Sequence, residues 1–581
     1  MLDPDRYTVG WICAIHEEYT ASRAFLDEIH DAPDCVSLNN INHYTLGKLG
    51  KHHVVMAVLP DGGYGTCSAA IVARDLLHNF PNVRIGLMVG IGGGAPSQDH
   101  DIRLGDIVVS RPGQKTGGVV QFDFGKAIQD QNFVLTGFKN QPPPVLRTAL
   151  SGLKSIYESY GHQLEEAITS VLEKIPRLQK RYRRPSPDTD RLYKSSVVHP
   201  PGNKASCAEV CTDDPSALVL QRTEREDNLM IHYGLVASSN QLMKNAFIRD
   251  KLAAEKDVLC FEMEAAGLMD HFPCLVIRGI CDYSDSHKNK DWQGYAAMAA
   301  AAYARDLLSQ IAPNQVEVQR KIRDHAKEDQ ERRAIIEWLA ATDYSTQQRD
   351  HLERRQEGTC EWLLDSDEFQ SWLARAGQTL FCPGIPGAGK TIAASIVVDH
   401  LCRKFHNNDT VGIAFAFYSY QQPPKTHADL YSSLLGQLIR PPGVKSITQF
   451  YNYHNTRGTR PSSEEVFNAL NHAISEYSRV FIIIDALDEC TVSDNARLRI
   501  IAGLFKLQDG TAANLFVTSR HFSTITEKFK KGGSTLLKIR AKDEDIRNYV
   551  ESHIPDMPPF DNTPGLAQEI ITAIVRATDG M

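Results

Sequence analysis

Apolar and polar positions along the first three hundred residues fall into two textures. Short, nearly continuous apolar runs occupy Tyr7 to Ile15, Tyr44 to Leu49, His53 to Leu59, Arg84 to Ile91, Asp106 to Ser110, Tyr233 to Ser238 and Leu275 to Asp285. Each predicts a β-strand, most of them buried on both faces. Stretches of helical spacing lie between them, at Tyr19 to Ile29, Ala69 to Leu77, Gln241 to Ala254 and the Ala-rich Tyr295 to Ile311, which Pro313 ends. The run from Leu259 passes from strand into helix by Gly267. Several strands lead into Gly-rich or acidic turns: Asp61 to Thr66, the triple glycine Gly92 to Gly94, and Asp282 to Asp285. Strands alternating with helices predict an α/β domain, and ligands of such sheets bind at those turns.

The texture changes between about 141 and 195. Two amphipathic helices, Val145 to Tyr157 and Leu164 to Leu172, precede the basic run Arg177 to Pro185. This reads as an insertion into the sheet domain. Its cations are either a solvated loop or a polyphosphate contact made by Arg181, Arg183 and Arg184. The sheet domain therefore spans 1–312. A charged helical segment follows over 313–376, with apolar anchors at Ile335, Trp338, Trp362, Phe369 and Trp372. It serves as packing for the next domain, as a hinge, or as both. A second α/β domain then runs over 377–581.

Length and composition narrow the class. A chain of 581 residues has room for several domains. Its net charge of -8 argues against a general nucleic-acid binder. The 12 cysteines include no C-x-x-C pair, so neither zinc nor a disulfide framework is expected, and a reducing compartment fits. No apolar run is long enough to span a bilayer, and Met1 to Arg6 lead straight into a strand without a signal peptide's pattern. A cytoplasmic protein is expected.

The most specific chemistry lies in the second domain. Gly384-Ile385-Pro386-Gly387-Ala388-Gly389-Lys390-Thr391 follows the apolar run from Thr379 and precedes an apolar helix, Ile392 to Leu401. Strand, glycine-rich loop and helix are what a phosphate cradle requires, with Lys390 reaching the terminal phosphates and Thr391 holding Mg²⁺. Downstream, Arg479 to Ile484 predicts a buried strand ending in Asp485, a second Mg²⁺ ligand, with Asp488 and Glu489 placed to orient water. A third strand, Leu515 to Thr518, ends at Arg520, a cation aimed at the γ-phosphate. In this order the motifs resemble a NACHT NTPase of the NLR (STAND) class, with Ala486 and the acids behind it fitting that class. The resemblance implies ATP or GTP with Mg²⁺ as cofactors, and homo-oligomers on activation. Ile539 to Val550 resembles the helical part of such modules. The chain ends at Ala577 to Met581 inside that pattern, before any winged-helix or repeat array, so a fragment or a natural truncation is expected.

Residues 1–312 resemble the purine nucleoside phosphorylase superfamily, and the methylthioadenosine nucleosidase branch most. The likeness rests on Ala14 to Glu18, the Gly62 to Gly65 loop, Val89 to Gly94, Leu104 to Ser110, Glu262-Met263-Glu264-Ala265 and Arg278 to Asp282, in that order. It implies a three-layer α/β/α fold and roles for these residues. Asp282 protonates the leaving purine, which calls for a desolvated acid. Glu264 accepts hydrogen bonds from ribose hydroxyls, Met263 packs beneath the sugar, and Glu18 holds the attacking water. Gly62, Gly65, Gly92 and Gly93 shape the nucleoside pocket. The triple glycine stands where a phosphorylase carries hydroxyl residues, which favours water as nucleophile.

The resulting expectation is a fungal-type NLR-like immune or incompatibility protein, in which a NACHT switch controls an N-glycosidase acting on adenine nucleosides or nucleotides. Immune effectors resembling it act on ATP, which makes ATP a substrate to test. A phosphate-dependent phosphorylase and a non-catalytic nucleotide-sensing or oligomerising module remain the alternatives.

Overall fold

The computed structural model describes residues 3–553 apart from short stretches, the longest being 33–39, 127–133, 136–139, 212–216, 220–224, 420–425 and 440–443; beyond 553 it describes 569 and 571–575. The chain's end at 577–581 lies outside the described residues. Two compact units divide it, Met1–Lys327 and Glu328–Met581.

In the first unit the strands are β1 (Val9–Cys13), β2 (Glu28–His30), β3 (His43–Leu49), β4 (His52–Val58), β5 (Ile85–Gly94), β6 (Ile107–Ser110), β7 (Val119–Gln121), β8 (Gly125–Lys126), β9 (Val134–Leu135), β10 (Ile231–Ser238), β11 (Val258–Glu262) and β12 (Cys274–Asp282). β8 and β9 form a separate ribbon. The others make one sheet in the order β11-β10-β6-β12-β5-β1-β4-β3-β2, with β7 beside β10. β5 pairs in parallel with β12 and, at Gly93 and Gly94, antiparallel with β11. That second pairing closes β5, β12, β6, β10 and β11 into a ring. All nine residues of β12 are buried, as a strand covered on both faces requires. The Ala-rich helix Gln293–Ser309 lies close on it: a Cβ at Gly279 would fall 1.9 Å from the Ala296 carbonyl.

Three local expectations change. The first helix ends at Ala24, and Glu28–His30 instead forms the edge strand β2, because β3 offers it an open ladder. Gly92 to Gly94 is strand rather than turn, since the ring closure supplies its backbone partners. The basic run is mostly helix, Pro176–Tyr182, opened by a proline at its first position and anchored by buried Tyr182.

The second unit holds a five-stranded parallel sheet. Its strands are β13 (Thr379–Pro383), β14 (Val411–Phe417), β15 (Arg479–Asp485), β16 (Ala513–Ser519) and β17 (Thr535–Leu536), in the order β14-β15-β16-β13-β17. Capping boxes at Thr426 and Ser462 start two of its helices, His427–Leu438 and Ser463–Ser475. Ile335, Leu363, Phe369 and Trp372 belong to this unit's core, and Trp372 Nε1 donates to the Leu515 carbonyl at 2.9 Å. The anchors of the charged segment thus pack in the core of the five-stranded sheet's unit. No helix among the described residues is long and apolar enough to cross a membrane.

Candidate active site and phosphate-binding loop

β12 carries one charged residue amid its apolar run, Arg278, which is fully buried. An isolated buried guanidinium is prohibitively costly, so carboxylates must surround it. Three do. Glu262, at the end of β11, pairs with Nη2, Glu264 lies 3.5 Å from Nη2, and Glu18 lies 3.7 Å from Nη1. Burial works against the arginine's charge, but Glu262, Glu18 and Glu264 outweigh it and hold its pKa above the ordinary value.

Glu18 sits in the first turn of the helix His16–Ala24. Its Oε2 accepts from the Ala14 and Ile15 amides at 2.6 and 3.2 Å, and its Oε1 accepts from the Ile91 amide at 2.8 Å. Burial still raises its pKa despite these bonds and Arg278. Glu264 Oε1 accepts from Gly65 N at 3.3 Å and Oε2 from Met263 N at 3.3 Å. Burial and the neighbouring Glu262 push the Glu264 carboxyl up to about 7.

Glycines make this convergence possible. Gly65, at φ +97°, caps the helix Thr66–Asn79, and the Thr66 amide donates to Asn240 Oδ1 at 3.0 Å. A Cβ at Gly90 would stand 2.3 Å from Glu18 Oε1 and 2.5 Å from Arg278 Nη1. One at Gly93 would stand 2.2 Å from Ser284 Oγ and 2.6 Å from Asp282 Oδ1. At Gly92 it would meet the Phe261 carbonyl at 3.1 Å, whereas Gly62, at φ +73°, faces open space.

Asp282 closes β12. Its Oδ1 accepts from Ser284 N at 2.9 Å, and Lys288 Nζ lies 2.8 Å from Oδ2. Burial works against the Lys288 charge, and Asp282 more than restores it. Asp282 is buried, as a desolvated acid requires, and a cation from the following loop meets it there. Asp282 borders a cavity of about 170 Å³ that Leu104, Arg191, Tyr193, Tyr283 and His287 also line.

The basic run does not line that cavity. Arg181 pairs with Glu17, and Arg184 pairs with Glu165 at 3.0 Å. Arg183 is exposed on a separate groove with Lys180 and Glu173. Of the three arginines considered for a polyphosphate contact, Arg181 and Arg184 are thus engaged by the unit's own carboxylates, Arg181 while still exposed.

In the second unit, β13 leads into the loop Gly384 to Gly389 and the helix Lys390–Lys404. Gly387 and Gly389 take φ of +80° and +83°, a region that favours glycine. A Cβ at Gly384 would meet the Ile539 carbonyl at 2.7 Å. Lys390 is the cation expected to reach the terminal phosphates. It is half-buried, and its Nζ donates to the loop carbonyls of Gly384 and Ile385 at 3.0 and 2.8 Å. Burial lowers its pKa.

Thr391 Oγ1 donates to Asp485 Oδ2 at 2.8 Å, and Thr518 Oγ1 donates to Asp485 Oδ1 at 2.6 Å. Burial pushes Asp485 up to about 6. A hydroxyl and a carboxylate held together at a helix start are hard oxygen donors of the kind Mg²⁺ takes, so the pair fits that ion. Arg520 does not point away from the acids. Its Nε lies 3.2 Å from Asp488 Oδ2, and its Nη2 donates to Glu489 Oε1 at 2.6 Å. A cavity of about 490 Å³ adjoins the loop, lined by Cys360, Ile392, Ile546, Tyr549 and Val550 among others. Ile392, Ile546, Tyr549 and Val550 lie in segments that the sequence had singled out, but their meeting with Cys360 joins parts of the chain far apart in sequence.

Residues 358–520 match the family model "Nephrocystin 3, N-terminal", a stretch that contains the loop, β15 and Arg520. Over 313 residues the chain is 45% identical to a nucleotide-binding leucine-rich repeat (NLR)-like protein of Hyaloscypha variabilis; the match covers 54% of this chain and 30% of that relative. The chain thus spans under a third of that relative's length. It is 24% identical over 306 residues to the 5'-methylthioadenosine/S-adenosylhomocysteine nucleosidase of Mycobacterium bovis, covering 52% of this chain and 95% of that enzyme. Among solved structures, futalosine hydrolase of Helicobacter pylori superposes with a TM-score of 0.34 at 14% identity, covering 53% of this chain and 99% of that one.

Proposed function

We propose that the first unit is an N-glycosidase that releases the base of an adenine nucleoside or nucleotide to water. The observation that carries this reading is the cluster of Glu18, Glu262 and Glu264 around buried Arg278, on the strand β12 that ends in Asp282. The nucleosidase similarity along nearly a whole relative supports it. Glu264 accepts hydrogen bonds from the ribose hydroxyls, and Met263 packs beneath the sugar. Glu18, held by three backbone amides, presents a buried carboxylate to the attacking water. The Asp282–Lys288 pair handles the proton delivered to the leaving purine. Arg278 is spoken for by carboxylates, and a phosphate nucleophile would meet their negative charge. Water is therefore favoured over phosphorolysis.

The second unit is proposed to bind ATP or GTP as a NACHT-type switch in an NLR-like protein. The NLR-like relative and the glycine loop support this. Thr391 and Asp485 would hold Mg²⁺, which neutralises phosphate charge when bound. The loop amides and Lys390 cradle the phosphates, and Asp488, Glu489 and Arg520 trade their mutual bonds for contacts to nucleotide and water. A cytoplasmic immune or incompatibility role, with oligomers forming on activation, follows from the same reading.

One experiment tests the enzymatic half. The full chain is incubated with ATP, adenosine and methylthioadenosine, with and without phosphate, and free adenine is measured. Release without phosphate is expected. Release only with phosphate identifies a phosphorylase, and none under any condition leaves a binding module.

A further inference from the structure

Four side chains that the proposed chemistry does not use meet beside the Asp282 cavity. They are His199, Cys207, Cys211 and His287, and their candidate ligand atoms all lie within 4.8 Å of one another. We propose that they bind one Zn²⁺ as a closed Cys₂His₂ site.

The local geometry brings the thiols together. Cys207 opens the short helix Cys207–Val210, and the Cys211 amide donates to the Cys207 carbonyl at 3.0 Å. Residues four apart on a helical turn share a face. His199 Nδ1 lies 3.1 Å from Cys211 Sγ and 3.5 Å from Cys207 Sγ. Tetrahedral zinc with ordinary Zn–S and Zn–N lengths sets ligand atoms roughly 3.3–3.8 Å apart, so the cluster needs only small adjustments to take the ion.

The outer contacts fit the same ion. His199 Nε2 faces the Asn203 carbonyl at 3.0 Å, and His287 Nε2 faces the Val197 carbonyl at 3.1 Å. With Nε2–H donating outward, each ring turns a lone pair on Nδ1 inward, as ligating histidines do. His287 is buried, its Nδ1 has no protein hydrogen-bond partner, and its ring stacks on Tyr193 at 4.0 Å. On binding, the two thiols release their protons to solvent. Two thiolates, two neutral imidazoles and Zn²⁺ then sum to zero charge, which suits burial.

Four protein ligands leave no open position, so the ion is structural rather than catalytic. It joins the segment carrying His199, Cys207 and Cys211 to the loop after β12. His287 in that loop immediately precedes Lys288, the partner of Asp282. The expectation of no zinc rested on the lack of a C-x-x-C pair; the actual spacing is C-x-x-x-C with histidines far apart in sequence.

The test uses the full chain, purified with zinc, dialysed against magnesium buffer and measured by elemental analysis. One zinc per chain is expected, with none in C207S/C211S and no change in C402S. Replacement by Co²⁺ should give tetrahedral d–d bands and a thiolate charge-transfer band. H287C should keep the metal and strengthen the thiolate band. Metal removal should raise hydrogen exchange over 193–200 and 282–288. Wild type without zinc, a Cys207–Cys211 disulfide in non-reducing mass spectrometry, or unchanged metal content in C207S/C211S overturns the site. Should the double variant be insoluble, H199A decides: a cobalt spectrum identical to wild type overturns it, and a lost or altered one supports it.

Discussion

Arg278 and Lys390 are the cations at the centres of the two candidate sites, and the chain holds them in opposite ways. Arg278 is fully buried among three carboxylates, two of which the proposed chemistry needs. Its bonds are charge-assisted on both sides, so no substrate can draw it away. Lys390 is half-buried and donates to neutral loop carbonyls. A phosphate offers it stronger, charge-assisted bonds and can take it over. Arg520 is ion-paired with Asp488 and Glu489, but it is partly exposed, where solvent weakens such pairs. The first site is thus set by internal ion pairs, whereas the second is built of bonds that a ligand can exchange. The first arrangement suits steady chemistry and the second suits switching.

Breaking the first cation should have the largest effect. Arg278→Met strands three buried carboxylates, and losing one partner of a buried pair already costs about 3–5 kcal/mol. The expected result is loss of hydrogen-exchange protection in β5 and β12 with the second unit unchanged. Protection equal to wild type would mean that the carboxylates do not depend on Arg278. Asp282→Asn should leave the fold intact and slow base release roughly 10²–10⁴-fold, as for a lost general acid; a rate within a few-fold of wild type would remove Asp282 from the chemistry.

Lys390→Ala tests the exchangeable cation. Its expected cost is one or two charge-assisted bonds to phosphate, weakening ATP binding about 10–100-fold in calorimetry with little change in melting. Equal affinity would show that the loop does not grip phosphate. Asp485→Asn should then remove the Mg²⁺ dependence of what binding remains.

The pH response sharpens the comparison further. Glu264 rises from 4.5 to about 7 in the folded chain, chiefly through burial. The folded state then binds its proton more tightly than the unfolded state does, so the first unit should lose stability as pH rises from about 4.5 to 7 and change little above that. Asp485 rises from 3.8 to about 6, so the second unit should show the same sign in a window that closes near pH 6. Melting each unit across pH 4.5–8 checks both, and Glu264→Gln should flatten only the first. The smallest effect is expected at Arg183→Ala: an exposed cation is worth at most about 1 kcal/mol, so ATP and adenosine cleavage should shift little relative to each other.

How far the sequence revealed this depended on whether the signal was local. Strand–loop–helix at Thr379 to Leu401 was legible because all its parts are contiguous. Arg278 and Glu262 lay inside motifs already singled out, yet received no role. A charge in the middle of the buried strand β12, four residues before its terminal Asp282, was the available clue, since such a residue must find opposite charges inside. Lys288 reaches Asp282 from a loop, and loops carry no periodicity to read. The ring closure of β5 on β11 depends on a pairing between segments far apart in sequence. The same is true of His287 meeting Cys207 and Cys211. The short strand β2 was misread because Glu28 to His30 continue a helical spacing that only the open edge of β3 overrides.

The bare backbone at Gly90 and Gly93 also has a consequence for descent. Any change of codon that alters either residue adds at least a Cβ, which would land against Glu18 and Arg278 in one case and Asp282 and Ser284 in the other. A carboxylate can be exchanged for an amide of the same shape and leave a folded, silent domain, whereas a Cβ at either of these positions must displace the ends of those side chains. If the proposed base release is this fold's activity, related chains that carry a side chain at 90 or 93 should be the ones that lack it.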